Sequence, residues 1–112
     1  MNRGDAQNIA LTINIDGEPI TEGYAEEIEL TFNPNGCNHQ VIKSLKKNEI
    51  YWNDLEDKYF TMLTQQDTFK MKAGVNTWQL RLLKDGEVIS TAIGQLVLGE
   101  ANSSEVLTNA QS

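Results

Sequence analysis

Ile9, Leu11, Ile13 and Ile15 stand at every second position, with Ala10, Thr12 and Asn14 between them, and the run stops on Asp16-Gly17. A period of two sends alternate side chains to opposite faces of an extended chain, so one face is apolar and the other wet. An antiparallel strand ending in a tight turn has this pattern, because the glycine accepts the positive φ that hairpin turns need. The pattern returns at Ile28, Leu30 and Phe32, which stop at Asn33-Pro34-Asn35-Gly36, and at Trp78, Leu80 and Leu82, which lead to Asp85-Gly86. Helical periodicity is missing, so the chain is expected to fold through paired strands.

Shorter runs complete the set: His39 to Leu45 with β-branched Val41 and Ile42, Glu49 to Trp52, the aromatic-rich Lys58 to Leu63, Val88 to Ala92 and Gln95 to Leu98. Thr64-Gln65-Gln66-Asp67 differs, since a hydroxyl followed three residues later by a carboxylate resembles a capping box. It predicts one helical turn from Thr64 to Phe69, stopped by Ala73-Gly74 and Val75, that carries the chain from one sheet layer to the next. Seven or eight short antiparallel strands with one short helical turn define an all-β sandwich. Its expected core is Ile9, Leu11, Ile13, Ile28, Leu30, Phe32, Leu63, Trp78, Leu80, Leu82 and Leu96, with Phe69 and Met71 plugging one end.

A chain of 112 residues, 39% of them hydrophobic, fits one domain with one core. We expect the sandwich over residues 1–99 and a flexible tail over 100–112, in which Val106 and Leu107 are the only sizeable apolar side chains. One cysteine, Cys37, allows no internal disulfide and points to an intracellular folding compartment. No apolar run approaches the ~18 residues of a membrane span, so no membrane partner is expected. Sixteen acidic against nine basic residues give a net charge of -7, which repels phosphate backbones and argues against nucleic acid as a partner. The acids are scattered, as solubility requires; the sharper alternative is an acidic inhibitor that mimics nucleic acid.

Catalytic chemistry finds little support. The lone His39 lies two residues from Cys37 without a third group to orient it, and one cysteine with one histidine does not make a zinc site. Asp54, Glu56 and Asp57 match no calcium loop, and phosphate-cradling glycine motifs are absent. Catalytic, cofactor and metal residues are therefore all expected to be none, and the protein is expected not to be an enzyme. Arg3-Gly4-Asp5 spells an adhesion tripeptide, but three-letter matches arise by chance. Tyr51-Trp52 carries more weight, because neighbours on a strand face opposite ways and one ring must leave the core. Tyr51, Trp52, Val106 and Leu107 are thus the interaction candidates, the aromatic pair as interface anchors or, alternatively, as the stacking platform of a carbohydrate-binding module.

The frame of RGD, ALTINIDGEPI, IELTF, LTQQDTFKMKAG and WQLRLLKDGEVISTAIGQLVL, spanning about residues 3–98, resembles the small immunoglobulin-like virion modules of tailed bacteriophages and prophages. It is similar to the N-terminal domain of baseplate upper proteins. The resemblance implies an immunoglobulin-like β-sandwich and a non-enzymatic tail, baseplate or head component that acts through protein-protein assembly. Other phage virion proteins and further copies of the chain would be its partners. Its place would be the virion, assembled in the bacterial host cytoplasm.

Overall fold

Alternation in sequence becomes alternation in burial. The computed structural model describes residues 1–36 and 38–100, with the backbone alone at 91–93. Among them are nine strands and one helix: β1 (Gln7–Leu11), β2 (Asn14–Ile15), β3 (Glu18–Pro19), β4 (Glu27–Phe32), β5 (Val41–Ser44), β6 (Ile50–Asn53), β7 (Lys58–Leu63), α1 (Gln65–Lys70), β8 (Gly74–Lys84) and β9 (Glu87–Leu98). The turns Asp16-Gly17 and Asp85-Gly86 both have positive φ at both residues, 53° and 83° in the first and 52° and 79° in the second. That is the backbone of a type I′ hairpin, whose twist matches the strands it joins.

Two antiparallel sheets form, ordered β1-β7-β6 and β5-β4-β8-β9, with β2-β3 as a separate two-stranded arm. Ile28, Leu30 and Phe32 of β4 oppose Leu82, Leu80 and Trp78 of β8. These meet Ile50, Tyr59 and Leu63 of the three-stranded sheet in one buried cluster. The fold is therefore all-β and sandwich-like, as the alternation predicts. The seven strands of the two sheets divide three and four, the tally of a constant-type immunoglobulin domain. One rearrangement distinguishes the pairing, since β4 lies between β5 and β8 rather than beside the first strand.

Two boundaries differ from the sequence expectation. The run Ile9 to Ile15 breaks into β1 and β2, although Ile13 between them stays buried. The last two expected strands join into the twelve-residue β9, because Gly94 continues the ladder opposite Trp78. A Cβ at Gly94 would collide with the Trp78 indole, so this glycine is a packing site and not a break. The ladder slips by one residue between Leu80 and Arg81, marking a bulge in the β8–β9 ribbon.

The helical turn carries the chain from β7 in one sheet to β8 in the other. Thr64 is its N-cap: its hydroxyl accepts from the Asp67 N–H at 3.1 Å, and the Asp67 carboxylate accepts from the Thr64 N–H at 2.9 Å. Met71, just past the helix, is fully buried and closes one end of the core, while Phe69 is half-buried over Gly4. Beside it, Met1 to Arg3 clasp the end of β9: Gly99 N–H donates to the Met1 carbonyl at 3.0 Å, and Arg3 N–H to the Gly99 carbonyl at 3.1 Å.

Three strands facing four leave some of the larger inner face uncovered. Ile9, Leu11, Trp78 and Leu96, all expected in the core, are only partly buried, and all four line an open slot of about 300 Å³ floored by Leu30 and Phe32. No helix among the described residues is long and apolar enough to cross a membrane.

Candidate interaction surface

The outward face of the three-stranded sheet is built by the residues that alternate with its core. Tyr59, Thr61 and Leu63 of β7 point inward, so Phe60 and Met62 point out. The register sets Tyr51 of β6 and Ala10 of β1 on either side of Phe60, and Asn8 beside Met62. Tyr51 is 39% and Met62 40% exposed. The Tyr51 and Phe60 rings stack with centroids 6.3 Å apart and planes 21° from parallel.

The Tyr51 hydroxyl donates to Asn8 Oδ1 at 2.8 Å. Because β7 lies between β6 and β1, this bond stretches the phenol across the width of the sheet and ties two strands that do not touch. The ring is thereby held in one orientation before anything binds, which removes much of the ordering entropy an interface residue otherwise loses. Trp52 takes the opposite path. Its indole packs edge-on against Tyr59, with centroids 5.0 Å apart at 77°, and joins the inner cluster. Of the aromatic pair, Tyr51 is the more exposed ring, and Trp52 is partly buried against the inner cluster. Val106 and Leu107 lie outside the described residues.

The adhesion tripeptide is occupied internally. Arg3 Nε donates to the Met71 carbonyl at 3.0 Å and its Nη2 to the Phe69 carbonyl at 2.7 Å, satisfying carbonyls at the C-terminal end of α1. Gly4 N–H donates to Thr68 Oγ1, which donates in turn to the Asp5 carbonyl, both at 2.8 Å. Gly4 has φ +90°, and a Cβ there would stand 2.6 Å from the Phe69 ring. These residues are a structural latch, a role invisible in the sequence because its partners lie more than sixty positions away.

His39 Nδ1 sits 2.9 Å from the Lys70 carbonyl, and Cys37 lies outside the described residues. Asn53 Oδ1 accepts from the N–H groups of Leu55 and Glu56, shaping the turn on which Asp54, Glu56 and Asp57 are exposed. Among the described residues, no three His, Cys, Asp or Glu side chains gather to hold a metal ion. Several acids that could have formed a mimic surface instead accept internal bonds. Glu26 takes the Asp85 N–H, Glu49 the Ser44 N–H, and Glu29 pairs with Arg81.

One surface feature escaped the sequence reading. β9 is an edge strand, bonded only to β8 along its twelve residues. Natural edges are shielded by charge, proline or brevity, and β9 has only Glu87 as a charge and no proline. Its outward Val88 and Val97 are 65% and 62% exposed. The signal was present in the uncharged run Val88 to Gly99, but only the strand order shows which strand is left at the edge. Comparison with family models, with curated proteins and with solved structures found no match.

Proposed function

We propose that the chain is a non-enzymatic structural or accessory component of a tailed-phage virion, working in the tail, baseplate or head through protein-protein assembly. The observation that carries the assembly reading is Tyr51. A large amphipathic ring, fixed by Asn8 and backed by Phe60 on a sheet face that also carries Met62 and Ala10, is the kind of residue on which interface energy concentrates. The sequence frame over about residues 3–98 supports the virion setting by resemblance. Assembly would place the protein in particles formed in the bacterial host cytoplasm.

Quantitative mass spectrometry of purified particles from the phage or induced prophage that encodes the chain tests this. A fixed copy ratio to a major tail or capsid protein is expected. Tyr51→Ala should reduce incorporation by about tenfold or more, as loss of an anchor residue does. Particles free of the protein overturn the virion reading. Incorporation unchanged in Tyr51→Ala moves the docking surface elsewhere.

A carbohydrate-binding reading retains one favourable observation, the exposed Tyr51 ring. It now rests on Tyr51 alone, since Trp52 faces the core. Saturable binding on a glycan array, abolished by Tyr51→Ala and kept by Trp52→Phe, would select it over assembly.

A further inference from the structure

We propose that an extended segment of a partner protein adds to the open edge of β1 and sends apolar side chains into the slot between the two sheets. The segment is uncharged, apolar at every second residue and flanked by lysine or arginine. Two observations meet at this place. β1 pairs with β7 on one side, and among the described residues no backbone group bonds to its other side. That side is a row of unpaired N–H and C=O groups. The slot of about 300 Å³ opens beside it, walled by Ile9, Leu11, Trp78 and Leu96.

The unpaired edge and the uncovered slot call for the same occupant. A small apolar molecule would fill the slot and leave the edge unpaired, and an α-helix has no free backbone groups along its length to pair with it. An extended strand satisfies both, because its backbone pairs with β1 while alternate side chains turn inward. It also gives the three-stranded sheet a fourth strand to match the four it faces. Ala10 supports this placement. It alternates with Ile9 and Leu11 and so points out of the core, yet it lines the slot, which puts the backbone of β1 in the slot wall. With the strand in place, the four partly covered wall residues become core, as their alternation predicts.

The lining sets the chemistry of the occupant. None of the residues around the slot is charged, so a charge inserted there would lose its hydration without gaining a partner. The five residues of β1 reach about 17 Å and offer a paired strand roughly two or three inward positions. Outside the slot, the net charge of -7 favours basic flanks and disfavours a second copy, which carries the same charge. The chain's own residues 101–112 fit poorly, because Val106 and Leu107 are adjacent and an extended backbone turns adjacent side chains to opposite faces. Tyr51 faces out from one sheet while the slot lies between the two, so this surface is additional to the Tyr51 face.

Trp78 reports on the slot directly. In Trp52→Phe protein it is the remaining tryptophan, and its emission should shift to the blue as a peptide covers it. The probes are synthetic peptides in which valine, isoleucine, leucine or phenylalanine alternates with threonine between pairs of lysines. Controls carry the same residues with the apolar ones adjacent. Titration from roughly 1 to 200 µM should give saturable shifts with alternating peptides and about tenfold or weaker binding with the controls. Amide exchange should slow along Gln7 to Leu11 in the complex. N-methylation of one alternate set of peptide amides, the set facing β1, should abolish binding, and N-methylation of the other set should be tolerated. Leu96→Phe narrows the slot and should weaken binding about tenfold, with urea melts checking that the fold is kept.

The proposal is overturned if no alternating peptide gives a saturable shift, if binding leaves β1 exchange unchanged, or if Leu96→Phe binds as well as the parent. Two further results would overturn it by naming another occupant. A blue emission present without peptide and lost on deleting residues 101–112 assigns the slot to the chain's own tail. One that grows with protein concentration assigns it to a second copy.

Discussion

Glu27 illustrates how much a single side chain can organise. One carboxylate oxygen accepts from the N–H groups of Ile28 and Lys46 at 2.9 and 3.0 Å, and the other from the Ser44 hydroxyl at 2.7 Å. Burial alone would raise its pKa, but the hydrogen bonds from Ser44, Lys46, Ile28 and Leu45 outweigh it and hold the carboxyl below its ordinary value of 4.5. A carboxyl with a lowered folded pKa contributes stability that is full above its unfolded value and is lost as pH falls through the folded one. Glu27→Gln should therefore lower the urea midpoint at neutral pH, and the gap from wild type should shrink as pH drops below 4.5. A gap that stays constant down to full protonation would show that the charge contributes nothing. Sequence could not single out Glu27 from its neighbours Glu26 and Glu29, because its distant partners come from the end of β5 and the turn after it.

Among the elements, α1 is the one most fully legible in sequence. Its capping box forms as Thr64 and Asp67 predict, and the strand-helix-strand crossing follows. The sequence did not reveal that Lys43 points inward from β5 and meets Asp67 Oδ2 at 2.6 Å, with the two side chains only 9% and 20% exposed. A lysine between isoleucine and serine suggests an outward position; the helix supplies the carboxylate that makes the inward one tolerable. Asp67→Ala removes the cap and strands a buried ammonium, and should cost about 3 to 5 kcal/mol in chemical denaturation. Lys43→Met leaves Asp67 capping Thr64 and should cost less than about 1.5 kcal/mol, since a methionine fills similar apolar space. Equal losses would mean the ion pair does not anchor α1. Among the strands, β4 and β8 followed their alternation, whereas the merger into β9 was hidden because a glycine normally marks an interruption and here makes room for Trp78. Tyr51 and Trp52 were found as a pair, but which ring faced out depended on the register with β7.

Over the whole molecule, coverage of the core is uneven. Local pattern identifies residues that face inward, and Ile9, Leu11, Trp78 and Leu96 do so, yet no pattern tells whether a strand lies opposite to cover them. Leu82, 1% exposed between the sheets, and Leu96, at the slot, are the same residue type in the two situations. Leu82→Ala should cost about 2 to 5 kcal/mol, and Leu96→Ala less, about 1 to 2 kcal/mol, because part of the latter's surface stays in contact with water at the slot. Comparable losses in urea melts would mean that the slot is closed in solution. The clasp between Met1 to Arg3 and Gly99 carries a mechanical consequence. Asn2 and Gly99 are parallel neighbours, so tension that draws Met1 backward and Glu100 forward slides one segment along the other. Both clasp hydrogen bonds are then loaded in shear and must yield together, whereas the β8–β9 hairpin pulled from its open end would unzip bond by bond. A subunit strung between two neighbours would hold its shape under load for as long as that pair of bonds survives.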